Sequence, residues 1–437
     1  MARTTSATAL LTASAVLTGL VQAVPAAADT VPEEDTGWMR SSVGYQRRVD
    51  RCLAGEALHY GGPLQKARAI QGLTGTQEEL RATVISADTI GYGPLGQAFG
   101  EDGRAAQAYS DMVGDRRFAL QSANDPYVRS AWESDAMEWH APAFGADVTR
   151  FTLETQARMS NLGSDEHSVA SPEAIAKAKE VAKENEGKDA FHDMTSGWML
   201  SDDQINVRGY AYGTTATDVA AYLKRGGFPA LAPLKDSAEY RVEVEDQKQA
   251  WSACDSQNPF DPRRVLNEPV MTAMVEWELE YAGQSGQRAK IMHADADAAA
   301  ATREATDDMI EAIGQAWAVD QILTWRKYWT DKLAQDPNTI FEKPDQAFYA
   351  KADADLARYR SNIAALVTSA QAHAGTAATA AQTAVTAQQE AWAVADTTHV
   401  PRGRGLMYAQ QSVQVARASA AAATAAAKAT ETALAAA

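Results

Sequence analysis

Over residues 363–437, alanine, threonine, serine and glutamine replace almost every charged or bulky side chain. A tract of that composition has few ways to fold. Alanine has the highest intrinsic helix propensity, yet isolated helices gain little stability in water, so the tract is either low-complexity coil or helix held against a neighbour. Spacing favours helix. Ile363, Leu366 and Val367 open a stripe that continues through Ala370, Ala374, Ala377, Ala381, Ala384, Ala391 and Ala395. Its intervals are mostly three and four, the seam of a coiled-coil pair with very small knobs. Between residues 361 and 400 the only charged side chains are Glu390 and Asp396, so the segment should pair with whatever is tethered beside it. Residues 397–405, Thr-Thr-His-Val-Pro-Arg-Gly-Arg-Gly, then break the helix with one proline and two glycines before a second Ala-rich arm from Leu406. Residues 345–437 are therefore expected to form an Ala-rich helical stalk or hairpin turning at Pro401. The second arm reaches Ala437 with no glycine cap, no proline and no basic last turn, the expectation for an arm that leads into a further segment.

The opposite end has its own signature. Residues 1–28 carry one charge, Arg3, then an apolar run from Ala7 through Val24 and the small residues Ala26-Ala27-Ala28. That order is the n-region, h-region and cleavage pattern of a secretory signal peptide. A buried N-terminal helix is the alternative, but the run has no amphipathic period. Beyond it no segment supplies the roughly 18 consecutive apolar residues of a spanning helix. The mature chain is expected to be secreted, with no membrane span.

Residues 29–344 form the remaining body, and the charge resides there. The whole chain carries −17; Arg3 accounts for +1, and seven basic against six acidic residues leave 345–437 at +1, so the body holds −19. Such a surface repels phosphate backbones and anionic lipids, and no nucleic-acid partner is expected. Cys52 and Cys254 are the only cysteines. In an oxidising compartment an even count favours a bridge over two separately buried thiols. Closing a loop of about 200 residues would stabilise the fold by on the order of 5 kcal/mol in the chain-entropy model.

Helix signals dominate the body. Thr76-Gln77-Glu78-Glu79 has capping-box spacing, with Leu80 and Val84 on one face behind it. Ser171-Pro172-Glu173 combines a cap, a first-turn proline and an acidic residue. Met271, Met274 and Val275 begin one amphipathic run, and Ile310, Ile313 and Trp317 another that continues through Ile322, Trp325 and Trp329. Period-two alternation is scarce. The body is expected to be mainly α, with loops near 91–103, 161–172 and 226–233.

Three constellations could carry chemistry. Gly91-Tyr92-Gly93-Pro94-Leu95-Gly96 matches the dinucleotide fingerprint in form, but Pro94 removes a backbone donor and the preceding residues look helical, so a turn-rich loop is expected. His293, Asp295 and Asp297 cluster, and Asp353 and Asp355 repeat the Asp-x-Asp spacing. On a helix, residues two apart point to different sides, so these read as solvated acidic faces without a metal. Glu276, Glu278 and Glu280 beside Trp277 could serve a glycosidase, which needs two carboxyls about 5–10 Å apart across a cleft. Glu276 and Glu280 share one helix face and would lie on one side of a substrate. No cofactor, no metal and no catalytic residue is assigned.

Gln388-Gln389-Glu390-Ala391-Trp392, then Val400-Pro401-Arg402-Gly403-Arg404-Gly405-Leu406 and Tyr408-Ala409-Gln410-Gln411, resembles the stalk-entry region of secreted bacterial proteins of the polymorphic-toxin type. Asp218-Val219-Ala220-Ala221-Tyr222-Leu223-Lys224-Arg225-Gly226 is similar, in a single copy, to the short helical repeats of such proteins. In that family, Ala-rich helical stalks lead to variable toxin domains. No toxin domain lies within these residues, so the resemblance implies a scaffold or delivery role and no toxic activity. The expected function is a secreted, non-enzymatic scaffold that binds a protein or cell-envelope component. A secreted cell-wall or polysaccharide hydrolase, with Glu276 as acid or base, is the alternative.

Overall fold

A computed structural model describes residues 43–84, 93–128, 170–200, 216–254, 258, 259, 261, 263–337 and 343–437. The expected leader at 1–28 lies outside them, as do Gly91, Tyr92 and the expected loop at 161–169. The chain is mainly α, with twelve helices and no strand among the described residues. They are α1 Val43–Tyr60, α2 Pro63–Thr74, α3 Gln77–Val84, α4 Pro94–Asn124, α5 Pro172–Asn185, α6 Ala190–Met199, α7 Ala216–Arg225, α8 Ala238–Ser252, α9 Asn267–Gly283, α10 Ser285–Gln335, α11 Gln346–Thr397 and α12 Ala409–Ala436.

Local chemistry starts several of them. At α3, Thr76 Oγ1 accepts from the Glu79 amide at 3.2 Å and Glu79 Oε2 accepts from the Thr76 amide at 2.6 Å, the reciprocal pair of a capping box. Ahead of α5, Ser171 Oγ accepts from the Ala174 amide at 3.2 Å, with Pro172 in the first turn. The expected loop at 91–103 is corrected from Gly93 onward. Pro94 opens a helix of 31 residues, because a first-turn proline has no donor to lose there. Its Asp102 accepts from the amides of Leu64 and Gln65, each at 2.9 Å, and so caps the start of α2.

The Ala-rich residues build two sides of a bundle whose third side is α10. Helices α10, α11 and α12 pack pairwise along their lengths. Lys290 lies opposite Glu390 at 2.9 Å, Asp308 opposite His373 at 3.8 Å, and Arg326 pairs with Asp353, so α10 and α11 run antiparallel in one constant register. Gln371 reaches Glu431 at 2.8 Å and Arg360 the Ala437 carbonyl at 2.7 Å, which makes α12 antiparallel to α11. Thr302 Oγ1 donates to the Ser419 carbonyl at 2.8 Å, and α12 is thus parallel to α10.

Alanine methyls fill the interior. Ala305, Ala312, Ala377, Ala384, Ala391 and Ala423 are fully buried. A buried methylene is worth about 0.8 kcal/mol against about 1.5–3 for a whole Leu or Phe side chain, so the bundle gains stability through length and not through knob size. Larger residues close both ends. Tyr127, Trp317, Trp325, Trp329 and Tyr359 form an aromatic cluster at one end. At the other, Ile291, Met292, Ala391 and Val413 join Leu58, Trp251 and Trp277 of the body in the main core.

Candidate functional site

The bundle meets the body at the turn between α11 and α12, and Glu276 and Glu280, two of the three glutamates singled out in the sequence, converge there. Residues 398–408 leave α11, make a short 3₁₀ turn at Arg404–Leu406 and enter α12. His399, Gly403 and Met407 have φ of 58°, 87° and 50°. Only glycine takes such values without steric cost, so this backbone is over-determined by its surroundings. Those surroundings are the core: Leu406, Met407 and Tyr408 are buried in it. The Tyr408 ring lies against Gly55 of α1, where a Cβ would meet it at 2.5 Å.

Arg404 carries the charge into this contact. It donates to Glu280 at 2.6 and 2.7 Å and to Glu245 at 2.6 Å. Lys248 bonds Glu245 at 2.7 Å, Glu276 at 2.8 Å and Glu280 at 2.9 Å. Arg241 closes the group on Glu276 at 2.7 and 2.9 Å and on Glu245 at 2.8 Å. Three cations and three carboxylates from α8, α9 and the turn thus make one charge-balanced network. Hydrogen bonds from Arg241, with Lys248 behind them, hold the Glu276 carboxyl down at about 2. Burial pushes Glu245 up, but Lys248 and Arg404 outweigh it and bring the group below its ordinary value.

Glu278 faces elsewhere. It takes a two-pronged ion pair from Arg51 of α1, 2.8 Å on each arm, and this partner overcomes burial and lowers its pKa. Trp277 between them is 1 % exposed, donates to Ser252 Oγ at 2.9 Å and stands edge-on to Trp251. A ring so enclosed has no face to offer a sugar. Glu276 and Glu280 are therefore ion-pair partners on one face of α9 and Glu278 is one on another, and a carboxyl held near 2 has no proton to donate at neutral pH.

Cys52 and Cys254 form a disulfide with Cα atoms 5.5 Å apart, tying α1 to the residues after α8. The other constellations stay separate. Asp295 is buried against Lys66 at 3.4 Å while His293 and Asp297 face solvent. Asp353 pairs with Arg326, and Asp355 with Lys351 and Arg358. Among the described residues no three His, Cys, Asp or Glu side chains are placed to hold a metal ion.

Sequence reasoning missed α10 as the third helix of the bundle and Arg404 as its anchor. The first had a signal: Ala294, Ala298, Ala301, Ala305 and Ala312 continue the spacing of three, four and seven that marked α11. The second had none, since Arg402 and Arg404 look alike in sequence although only Arg404 is buried.

Compared with protein-family models, with curated proteins and with solved structures, the chain matches none.

Proposed function

We propose that the chain is a secreted, non-enzymatic scaffold in which the Ala-rich bundle is a stiff spacer and the acidic body holds a protein or cell-envelope partner. One observation carries the reading: the Ala-rich arms are locked along α10 over their whole length, and the turn that joins them is buried in the body with its charges paired. Every chemically suggestive carboxylate near that junction is spent on an ion pair. What the arrangement offers is length and rigidity, with α11 alone extending about 78 Å at 1.5 Å per residue. The leader-like residues 1–28 and the disulfide support export, and the likeness of 388–411 to stalk-entry segments supports a delivery role.

Small-angle scattering from the purified full chain tests the spacer. An elongated particle whose longest dimension reaches at least the length of α11 is expected. A particle that is nearly isotropic and shorter than that helix would overturn the proposal.

A further inference from the structure

At the centre of the junction two tyrosines meet away from solvent. Tyr281 of α9 and Tyr408 of the turn are 8 % and 6 % exposed, and their hydroxyl oxygens lie 2.9 Å apart. Two guanidiniums sit over the Tyr281 ring, Arg288 of α10 at 3.3 Å and Arg51 of α1 at 4.1 Å from its centroid. Arg51 has a carboxylate, Glu278. Arg288 has none among the described residues: it donates to the carbonyls of Tyr281 and Gly405, and its Nε has no partner.

This leaves a charge to account for. Arg288 is 2 % exposed, and a buried cation is costly to hold without a counter-charge. The other charged groups nearby do not supply one. Glu280 is committed to Arg404 and Lys248, Arg47 and Arg48 add positive charge around Glu278, and His59 of α1 faces the Tyr408 carbonyl at 3.1 Å. Among the described residues the phenols of Tyr281 and Tyr408 are the groups here that can still become an anion, and it is the Tyr281 ring that both guanidiniums lie against.

We propose that Tyr281 becomes the counter-ion of Arg288 as pH rises, a phenolate that accepts a hydrogen bond from the one proton left on Tyr408. The proton lost from Tyr281 goes to solvent, and the pair shares the second. The electrostatics agree in direction. Burial pushes both phenols up, but Arg288 and Arg51 together bring Tyr281 below the ordinary phenol value, whereas Tyr408 stays well above it beside its ionised neighbour. Because Tyr281 ionises more readily in the fold than in the unfolded chain, its contribution grows as pH rises through the folded value toward about 10 and is absent below it. The device tightens the hold of the turn on the body in the alkaline direction.

Phenolate absorption of the folded full chain, followed as pH is raised from neutral, provides the test. One tyrosine of the 14 is expected to ionise well before the rest. That early step should vanish in Tyr281→Phe and move upward in Arg288→Lys, where a compact ammonium replaces the guanidinium. An early step that persists in Tyr281→Phe, or its absence from the unmodified chain, overturns the proposal. Should Tyr281→Phe fail to fold, carbon-13 NMR of ring-labelled tyrosine in the unmodified chain decides. One resonance shifting early to the phenolate position supports it, and all resonances shifting together in the ordinary phenol range refute it.

Discussion

Arg404, at the turn between the two Ala-rich helices, reaches Glu280 of α9 through two hydrogen bonds of 2.6 and 2.7 Å, with the side chains only 3 % and 8 % exposed. The pair joins segments more than a hundred residues apart in sequence. Breaking a buried ion pair costs about 3–5 kcal/mol when the remaining charge is left alone; here Lys248 still holds Glu280, so the loss should fall toward about 3 kcal/mol. Arg404→Met should lose stability on that scale in denaturant unfolding followed by circular dichroism. Arg402→Met, which removes a fully exposed pair with Asp396, should leave stability close to that of the parent. Equal losses from the two variants would contradict the anchoring role.

The alanine seam makes a second prediction by size. Ala384 is fully buried, and Ala384→Leu should lose about 1–3 kcal/mol through overpacking. Ala372→Leu lies on the exposed face of the same helix and should stay within about 0.5 kcal/mol of the parent. Thermal unfolding of the two variants reads the difference. If both tolerate leucine equally, the seam is not the packed surface described above.

Reduction of the Cys52–Cys254 bridge frees a loop with sequence separation 202. The Cys52→Ala/Cys254→Ala double variant should be less stable by about 2–5 kcal/mol in denaturant unfolding. Alkylation of denatured, unreduced protein should label no thiol. Two labelled thiols would remove the bridge from the account.

Acid should loosen the junction, with a sign that can be worked out. The Glu276 carboxyl sits at about 2 in the fold against about 4.3 in an unfolded chain, so its stabilising contribution is present above the unfolded value and is lost as pH falls through the folded one. Glu245 and Glu278 act in the same sense. Buried Asp50 and Asp295, whose carboxyls are pushed up, act in the opposite sense. Glu276→Gln should therefore lower stability at neutral pH and flatten its decline toward pH 3, as measured by unfolding at a series of pH values. An unchanged acid slope would show that Glu276 is not held by Arg241 and Lys248.

Local rules in the sequence carried the helix starts at Thr76 and Ser171, because caps act within four residues and need no tertiary information. The stripe from Ile363 to Ala395 was legible for the same kind of reason, since burial on one helix face repeats every three to four residues. Pro94 was misread as a loop because glycines around it suggested breaking, whereas Leu95 and Ala98 are buried and Asp102 caps α2, so tertiary contacts sustain that helix. The carboxylates of α9 were found, but not their roles. Nothing local places Arg51, Arg241 or Arg404 beside them, and it is those cations that turn possible acids into fixed anchors.

Because α12 runs parallel to α10 with its first residues embedded in the body, a pull on its far end loads the alanine seam in shear. Every methyl contact along the helix must then slip at once, whereas peeling would break them one by one. Force applied at the distal end would reach the body as a single stiff displacement, the behaviour of a pushrod instead of a tether.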